Sequence, residues 1–219
     1  MTAKKKITED NIIELYMDYV LKNDHQPKSV YAFTKENNVD EADFYKFFGS
    51  FDAVEMKIFK LFFDSTMKVL YENEEYQTYD ARNKLLSFYF TFFENLTANR
   101  SYVVYTLNKN KDNLKKWKAL AKLKSAFGNY IDDLDIETLD LREENLNKAQ
   151  KATIRNSAWI QLLITMKFWM DDSSASFEKT DIFIEKSVNA SFELMNIKPI
   201  QSLVDLGKFI LKENFKTNP

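Results

Sequence analysis

The chain has 219 residues, a formal net charge of −2 and no cysteine, and 45% of its residues are hydrophobic. The lack of cysteine excludes disulfide bonds, a thiolate nucleophile and cysteine-ligated metals, and it fits a reducing cytoplasm. The N-terminus lacks the apolar core of a secretory signal, and the longest apolar segments are too short or too interrupted to span a bilayer, so we expect a cytoplasmic protein without a membrane segment. Only three Gly and three Pro interrupt the sequence, which predicts an all-α fold of long helices joined by short turns.

Three short helices are predicted at the N-terminus, because apolar residues recur there at helical spacing between caps and turn formers. The first spans about residues 8–22, the second about 28–36, and the third runs from a cap at Asp40 to about Phe48. The asparagine pair at 37–38 predicts a tight turn, because Asn tolerates the left-handed conformation. Two helices around such a turn have the spacing of a helix-turn-helix motif, whose second helix enters the major groove of DNA.

A larger set of helices is predicted after residue 50. The helix at about 80–98 is apolar nearly all round, which is typical of a central helix. The helix at about 112–133 is amphipathic, with a predicted buried stripe of Leu114, Trp117, Leu120, Leu123, Phe127 and Ile131. Further helices are expected at about 101–110, 146–170, 177–196 and 200–214.

Aromatic residues of this C-terminal region are the candidates for a ligand pocket, because apolar pockets form between helices. The candidate ligand-binding residues are Phe88, Phe92, Trp117, Phe127, Trp159 and Phe168. Packing in the protein core is the competing interpretation of each of them.

Two apolar faces on the late helices predict a four-helix seam with a second copy of the chain. On the helix at about 146–170 the face comprises Trp159, Ile160, Leu163, Met166 and Met170. On the helix at about 177–196 it comprises Phe183, Val188, Phe192 and Met195. The alternative is that both faces belong to the core of one subunit, and the pattern leaves both open.

Residues 8–54 resemble the N-terminal domain of the TetR-type repressor family. That family has a small residue and Val at the start of its second helix, an Ile-Ala pair, a Gly-Val turn, a cap, and then Leu-Tyr, two variable residues and Phe. The matching positions in this chain are Ser29-Val30, Phe33-Thr34, Asn38-Val39, Asp40, Phe44-Tyr45 and Phe48.

The resemblance implies a homodimeric transcriptional repressor with residues 1–50 as its DNA-binding domain and residues 51–219 as its ligand-binding and dimerisation domain. Its partners would be double-stranded DNA, a small apolar ligand and a second copy bound through the helices at about 146–170 and 177–196. Ligand binding would change the separation of the two DNA-binding domains. The implied DNA-binding residues are Tyr45, at a phosphate, with Lys28, Ser29 and Lys46 assisting.

The charge of the N-terminal region leaves a second function open. Residues 1–50 contain seven lysines, no arginine and nine acids, and the third helix opens with Asp40, Glu41 and Asp43. Carboxylates near phosphates oppose the electrostatic attraction that dominates DNA binding. The alternative is therefore a TetR-fold protein that has lost DNA binding and binds a lipid-like ligand or a protein partner. The lysine run at 4–6 is either an arm that reaches DNA or a solvated tail.

No catalytic residue, metal site or cofactor is predicted. His25 is the only histidine, and it lies in a polar turn, where a surface role is expected. Asp171 and Asp172 precede Asp181 and Glu185, but helical di-metal sites pair glutamates with histidines, so a capped turn between two helices is the better interpretation. An enzyme is not expected, because the usual sets of nucleophile, base and metal ligands are missing from the sequence.

Overall fold

The structure is a computed structural model, and it describes residues 7–108, 117–136 and 144–195. Within these ranges it contains helices and turns but no β-strand, so the predicted all-α fold is confirmed. No helix in the described ranges has the length and apolarity needed to cross a membrane. The lysine run at 4–6 and the helix expected at about 200–214 lie outside the described residues.

The helices follow the predicted order along the chain. They are α1 Glu9–Asn23, α2 Val30–Glu36, α3 Glu41–Phe47, α4 Phe51–Glu72, α5 Ala81–Ala98, α6 Arg100–Asn108, α7 Ala121–Asp133, α8 Glu144–Asp171 and α9 Glu178–Met195. Short 3-10 turns follow α4 at Glu74–Thr78 and precede α9 at Ala175–Phe177.

The first two helices begin at side-chain caps. The Thr8 hydroxyl accepts a hydrogen bond from the Asn11 amide at 3.2 Å, and the Asn11 side chain accepts one from the Thr8 amide at 3.3 Å. The Ser29 hydroxyl accepts a hydrogen bond from the Ala32 amide at 3.1 Å, so Ser29 is the residue that caps α2. Such caps satisfy amides that have no partner within the helix. Lys28 and Ser29 therefore precede α2, which begins two residues later than predicted.

The turn between α2 and α3 confirms the prediction made from its asparagines. Asn38 has a φ of 54°, in the left-handed region, and the Val39 amide returns to the Thr34 carbonyl oxygen at 2.8 Å. Asp40 is the N-cap residue of α3, as predicted, although its side chain makes no capping hydrogen bond. The carboxylate still lies at the helix N-terminus, where the helix dipole favours negative charge.

The helix predicted at about 112–133 is interrupted within the described residues. Residues 117–119 are helical and Leu120 lies in a turn before α7 begins. Trp117, predicted on the buried stripe, is 49% exposed, because the turn breaks the helical phase between it and α7. Leu114 lies outside the described residues. The stripe residues at and after the turn are buried as predicted, namely Leu120, Leu123, Phe127 and Ile131.

The chain divides into two compact units. The first extends to Thr78 and includes Ser87–Tyr130, whereas the second comprises Tyr79–Leu86 and the residues from Ile131 onward. Helices α1 to α4 and α6 belong to the first unit, and α8 and α9 belong to the second. The functional boundary predicted after residue 50 stays a prediction.

The turn between α8 and α9 is organised around one buried carboxylate. Asp172 accepts hydrogen bonds from the amide and hydroxyl of Ser174, at 2.8 and 2.7 Å, and from the amide and hydroxyl of Thr180, at 3.0 and 2.7 Å. Loss of solvation raises the pKa of Asp172, but these hydrogen bonds outweigh it and hold the pKa below its ordinary value. The capped turn predicted here is confirmed.

Candidate functional site

The head, which we define as helices α1 to α3, is held together by aromatic rings. The Phe33 ring lies 6.4 Å from Tyr16, 6.2 Å from Phe44 and 5.5 Å from Phe51, measured between ring centroids. Phe33 and Phe44 are almost completely buried. Because Phe44 points inward from the middle of α3, this short helix is anchored along one side and presents its other side to solvent.

All four residues predicted to bind DNA lie at the surface of the head. Tyr45 on α3 is 53% exposed, and its neighbour Lys46 is exposed as well. Lys28 and Ser29 are exposed at the start of α2, which contacts α3. The Ser29 hydroxyl is already engaged as the cap of α2.

The cations of the head are partly neutralised by neighbouring groups. Lys46 donates a hydrogen bond to Asp43 at 2.6 Å, and this hydrogen bond, with the charge of the same carboxylate, raises the pKa of Lys46. Lys22 pairs with Asp18 at 2.6 Å, and the Lys35 ammonium lies 5.6 Å from the centroid of the Tyr31 ring. The exposed surface of α3 therefore combines aromatic and acidic groups, with its one lysine bound to a carboxylate of the same helix.

The six predicted ligand-binding residues are divided between the two units. In the first unit, the Phe88 ring stacks on Phe92 and lies close to Phe127, at 5.3 Å in both cases, and all three residues are completely buried. Trp117 belongs to the same unit but is half exposed. The contacts of Phe88, Phe92 and Phe127 agree with core packing, which is the competing interpretation of these residues.

The other two candidates, Trp159 and Phe168, belong to the second unit. Trp159 is buried, and Phe168 stacks on Phe183 with their ring centroids 4.6 Å apart. Phe168 and Phe183 also line a shallow apolar depression of about 440 Å³, together with Ile182 and the two lysines of α9, Lys179 and Lys186.

A larger groove of about 500 Å³ lies along α8 and α9 in the second unit. Aliphatic side chains form most of its wall, including Ile154, Ile160, Ile164, Leu194 and Met195. Polar groups line it too, since Gln161 on α8 accepts a hydrogen bond from Ser191 on α9 at 3.0 Å. None of the six predicted ligand-binding residues lines this groove. The sequence signal that pointed to it was the predicted dimer face, which contains Ile160 and Met195.

The predicted dimer seam of α8 and α9 includes residues from the buried side and from the exposed side of these helices. Trp159 and Met166 are buried within the unit, in the same row as Leu162 and Trp169. Ile160, one residue after Trp159, points outward with 56% of its surface exposed. The outward side of the two helices, which we call the aliphatic face, comprises Ile160, Ile164, Ile182 and Leu194, each more than half exposed. The predicted residues Val188 and Phe192 are buried on α9.

His25 and the acidic side chains are the groups that a catalytic or metal site would draw on. His25 is exposed in the turn after α1, as expected, with Nδ1 2.8 Å from the Gln26 carbonyl oxygen. Among the described residues, no group of three or more His, Cys, Asp or Glu side chains is placed to hold a metal ion.

A family model described as the tetracyclin repressor-like C-terminal domain matches residues 84–210. This match covers more than half of the chain, so the chain belongs to the tetracycline repressor-like family of regulators, and the family predicted from the sequence is confirmed. Members of this family are regulators and not enzymes. None of the curated proteins compared with the chain matches it.

Proposed function

We propose that this protein is a transcriptional regulator that binds operator DNA as a homodimer and responds to a small apolar ligand in the cytoplasm. The observation that carries the proposal is the presentation of α3, which buries Phe44 and exposes Tyr45, in a chain with a tetracycline repressor-like C-terminal domain. A helix that reads DNA must be held firmly while its outer side chains remain free to reach phosphates and base edges.

The proposed DNA contacts are Tyr45, Lys28, Ser29 and Lys46. Contacts to phosphate position a protein on the duplex, and hydroxyl and ammonium groups both serve that purpose. Lys46 reaches a phosphate only if it leaves Asp43. Exposed ion pairs contribute little stability, so this exchange is a small obstacle.

The proposed homodimer forms through the aliphatic face of α8 and α9. Large exposed apolar patches on soluble proteins mark interaction sites, and a two-fold dimer covers the same patch on both subunits. The exposed Ile160, Ile164, Ile182 and Leu194 support this proposal. The dimer would set the spacing between two copies of α3, as required for two DNA half-sites.

The proposed ligand is small and apolar. The predicted contacts are the buried rings of Phe88, Phe92 and Phe127, with Trp159, Phe168 and Trp117. Because Phe88 and its neighbours fill the core of the first unit, a ligand that binds there must displace side chains. Displacing these side chains would also move the helices that carry them, so ligand binding would change the positions of those helices.

The test of operator binding is a gel shift of the DNA upstream of the chain's own coding region at about 50 mM salt, where phosphate contacts are strongest. We expect Tyr45→Ala to weaken binding by about tenfold. Tyr71→Ala is the matched control, because Tyr71 is 58% exposed near the end of α4 and is expected to leave affinity within about twofold. No shift of the wild-type protein would overturn operator binding, and full binding by Tyr45→Ala would remove that residue from the interface.

A second candidate function is favoured by the electrostatics of α3. The described part of the head, residues 7–50, contains four lysines and nine acids, and Asp43 neutralises Lys46. A protein that keeps this fold without binding DNA would instead bind a lipid-like ligand or a protein partner. Failure of the gel shift, together with a stable dimer in solution, would favour this alternative.

A further inference from the structure

Positive charge is concentrated at the start of α7, in the same unit as the head. Lys118, Lys122 and Lys124 lie within seven residues of each other, all three are exposed, and Trp117 beside them is 49% exposed. We call these four residues the basic patch. The chain has no acidic residue from 117 to 131, although its overall net charge is −2. The basic patch is therefore a cationic surface on a weakly acidic protein.

One ion pair joins the basic patch to the helix that follows the head. The Lys118 ammonium lies 2.7 Å from a carboxylate oxygen of Asp52, which is the second residue of α4. The residue before it, Phe51, packs against Phe44 of α3, with 5.5 Å between the ring centroids. Because Phe44 anchors α3, the basic patch adjoins α4 at the turn that supports the proposed DNA-binding helix.

The stability of α7 does not account for these lysines. Lys122 and Lys124 lie among the first four residues of α7, whose first turn contains no acidic residue. The N-terminus of a helix carries partial positive charge, so cations there are unfavourable. In the part of the chain that the structure describes, neither Lys122 nor Lys124 forms an ion pair. Their charges are available to an anionic partner outside the subunit.

The head supplies little of the positive charge that binding to a nucleic acid requires. Residues 7–50 contain four lysines and nine acids, and Lys46 on α3 is bound to Asp43. Contacts between cations and phosphates provide most of the sequence-independent affinity of DNA-binding proteins. Phosphate contacts from a surface beside the head would supply what the head lacks.

We propose that the basic patch binds the phosphate backbone of double-stranded DNA next to the segment that α3 contacts. Lys122 and Lys124 would bind phosphates directly, and Lys118 would do so after leaving Asp52. Phosphate contacts carry no sequence information, so the basic patch would raise affinity for every sequence while α3 discriminates between sequences. The proposal deepens the proposed function and rests on it for its biological role.

An anionic membrane is the other partner that lysines beside an exposed tryptophan could fit. A helix that binds at a membrane surface inserts its apolar face into the lipid. The apolar face of α7 is instead buried in the protein, since Leu123 and Phe127 are completely buried. Only the ring of Trp117 would then be left to enter the lipid, so the observations favour DNA.

The salt dependence of DNA binding tests the proposal. Each phosphate contact steepens the fall of log affinity with log salt concentration by about 0.9. We therefore expect the triple variant Lys118→Gln, Lys122→Gln, Lys124→Gln to reduce this slope by about 2 to 3. At about 50 mM salt its affinity should fall by about 30-fold or more. Fluorescence anisotropy provides the measurement, on the DNA upstream of the coding region and on a shuffled duplex of equal length.

The triple variant Lys151→Gln, Lys167→Gln, Lys179→Gln is the matched control. These lysines are exposed on α8 and α9 of the second unit, and Lys167 is paired with a carboxylate as Lys118 is. The control loses the same charge away from the head, so we expect its slope to stay within about 0.5 of the wild type. If both triple variants reduce the slope equally, or neither does, the proposal is wrong.

Trp117→Ala identifies the partner if the proposal fails. We expect this variant to bind DNA within about threefold of the wild type, because the lysines carry the phosphate contacts. Vesicles of phosphatidylglycerol and phosphatidylcholine provide the comparison. Vesicle binding that is lost in Trp117→Ala, together with an unchanged salt slope of the lysine variant on DNA, would assign the basic patch to a membrane surface and overturn the proposal.

The two duplexes separate this proposal from the proposed function. If the wild-type protein binds both equally, operator recognition is overturned, but a smaller slope of the Lys118, Lys122 and Lys124 variant would still support the basic patch. If the wild-type protein prefers the upstream DNA and this variant keeps the wild-type slope, the proposed function stands and the basic patch does not bind phosphate. Absence of binding to either duplex would overturn both.

Discussion

The two units differ in the kind of large apolar side chain that they leave exposed. In the first unit, the rings around Phe33 and Phe88 are enclosed by other rings of the same unit. In the second unit, α8 and α9 bury Trp169 completely but leave Ile160 and Ile164 more than half exposed. Isolated exposed apolar residues are normal, whereas an exposed row of them marks an interaction surface. The comparison teaches that the first unit exposes mainly aromatic rings on different helices, whereas the second exposes aliphatic side chains on two neighbouring helices, a face suited to a partner.

The largest expected effect tests whether the first unit is closed by its own rings. Phe88→Ala removes a completely buried ring that contacts several others, and we expect it to lower the free energy of unfolding by about 3–5 kcal/mol. Phe90→Ala, on the same helix but 40% exposed, is expected to cost less than about 1 kcal/mol. Urea denaturation of both variants provides the measurement. Equal costs would mean that Phe88 lines an open pocket and is not part of a packed core.

The second effect tests whether the aliphatic face binds a second copy. Ile164→Asp places a charge in the proposed interface, and we expect the dissociation constant of the dimer to rise by about 100-fold. Val69→Asp is the matched control, because Val69 on α4 of the first unit is 55% exposed, close to the 53% of Ile164. Analytical ultracentrifugation distinguishes the two variants. A wild-type chain that stays monomeric at every concentration would contradict the proposed dimer.

The smallest expected effect concerns the turn between α8 and α9. Asp172→Asn removes the charge that accepts four hydrogen bonds, and we expect the melting temperature to fall by several degrees. Because the pKa of Asp172 is lowered in the folded state, its stabilising effect is present above the ordinary aspartate value of about 4 and is lost as the pH falls below it. Thermal melts at pH 7 and pH 3 should therefore show a difference between wild type and variant that shrinks at the lower pH.

Asp171→Asn controls for the loss of one negative charge at this turn. Asp171 is exposed and pairs with Lys167 on the same helix. Exposed pairs of this kind contribute little, so we expect the melting temperature to stay within about 1 °C of the wild type. If both variants lower it equally, the hydrogen bonds to Asp172 are not what stabilises the turn.

Much of the fold was predictable because it depends on residues close together in the chain. The cap at Thr8, the left-handed turn at Asn38 and the order of the helices follow from short-range spacing. The break at Leu120, which exposes Trp117, was missed because the apolar spacing continues across it. Of the candidate site, the exposure of Tyr45 was predictable from the anchoring role of its neighbours, but the pairing of Lys46 with Asp43 was not.

The sequence by itself determined the fold class, the helix-turn-helix spacing and the family, because helix periodicity, caps and turns are local properties of the chain. Only the tertiary structure decided which side of α8 is buried, since Trp159 and Ile160 are adjacent and both apolar, yet Trp159 is buried and Ile160 is exposed. It also decided that Glu55 and Tyr16, 39 residues apart, share one hydrogen bond inside the protein. Such contacts arise from the packing of whole helices, and no local pattern encodes them.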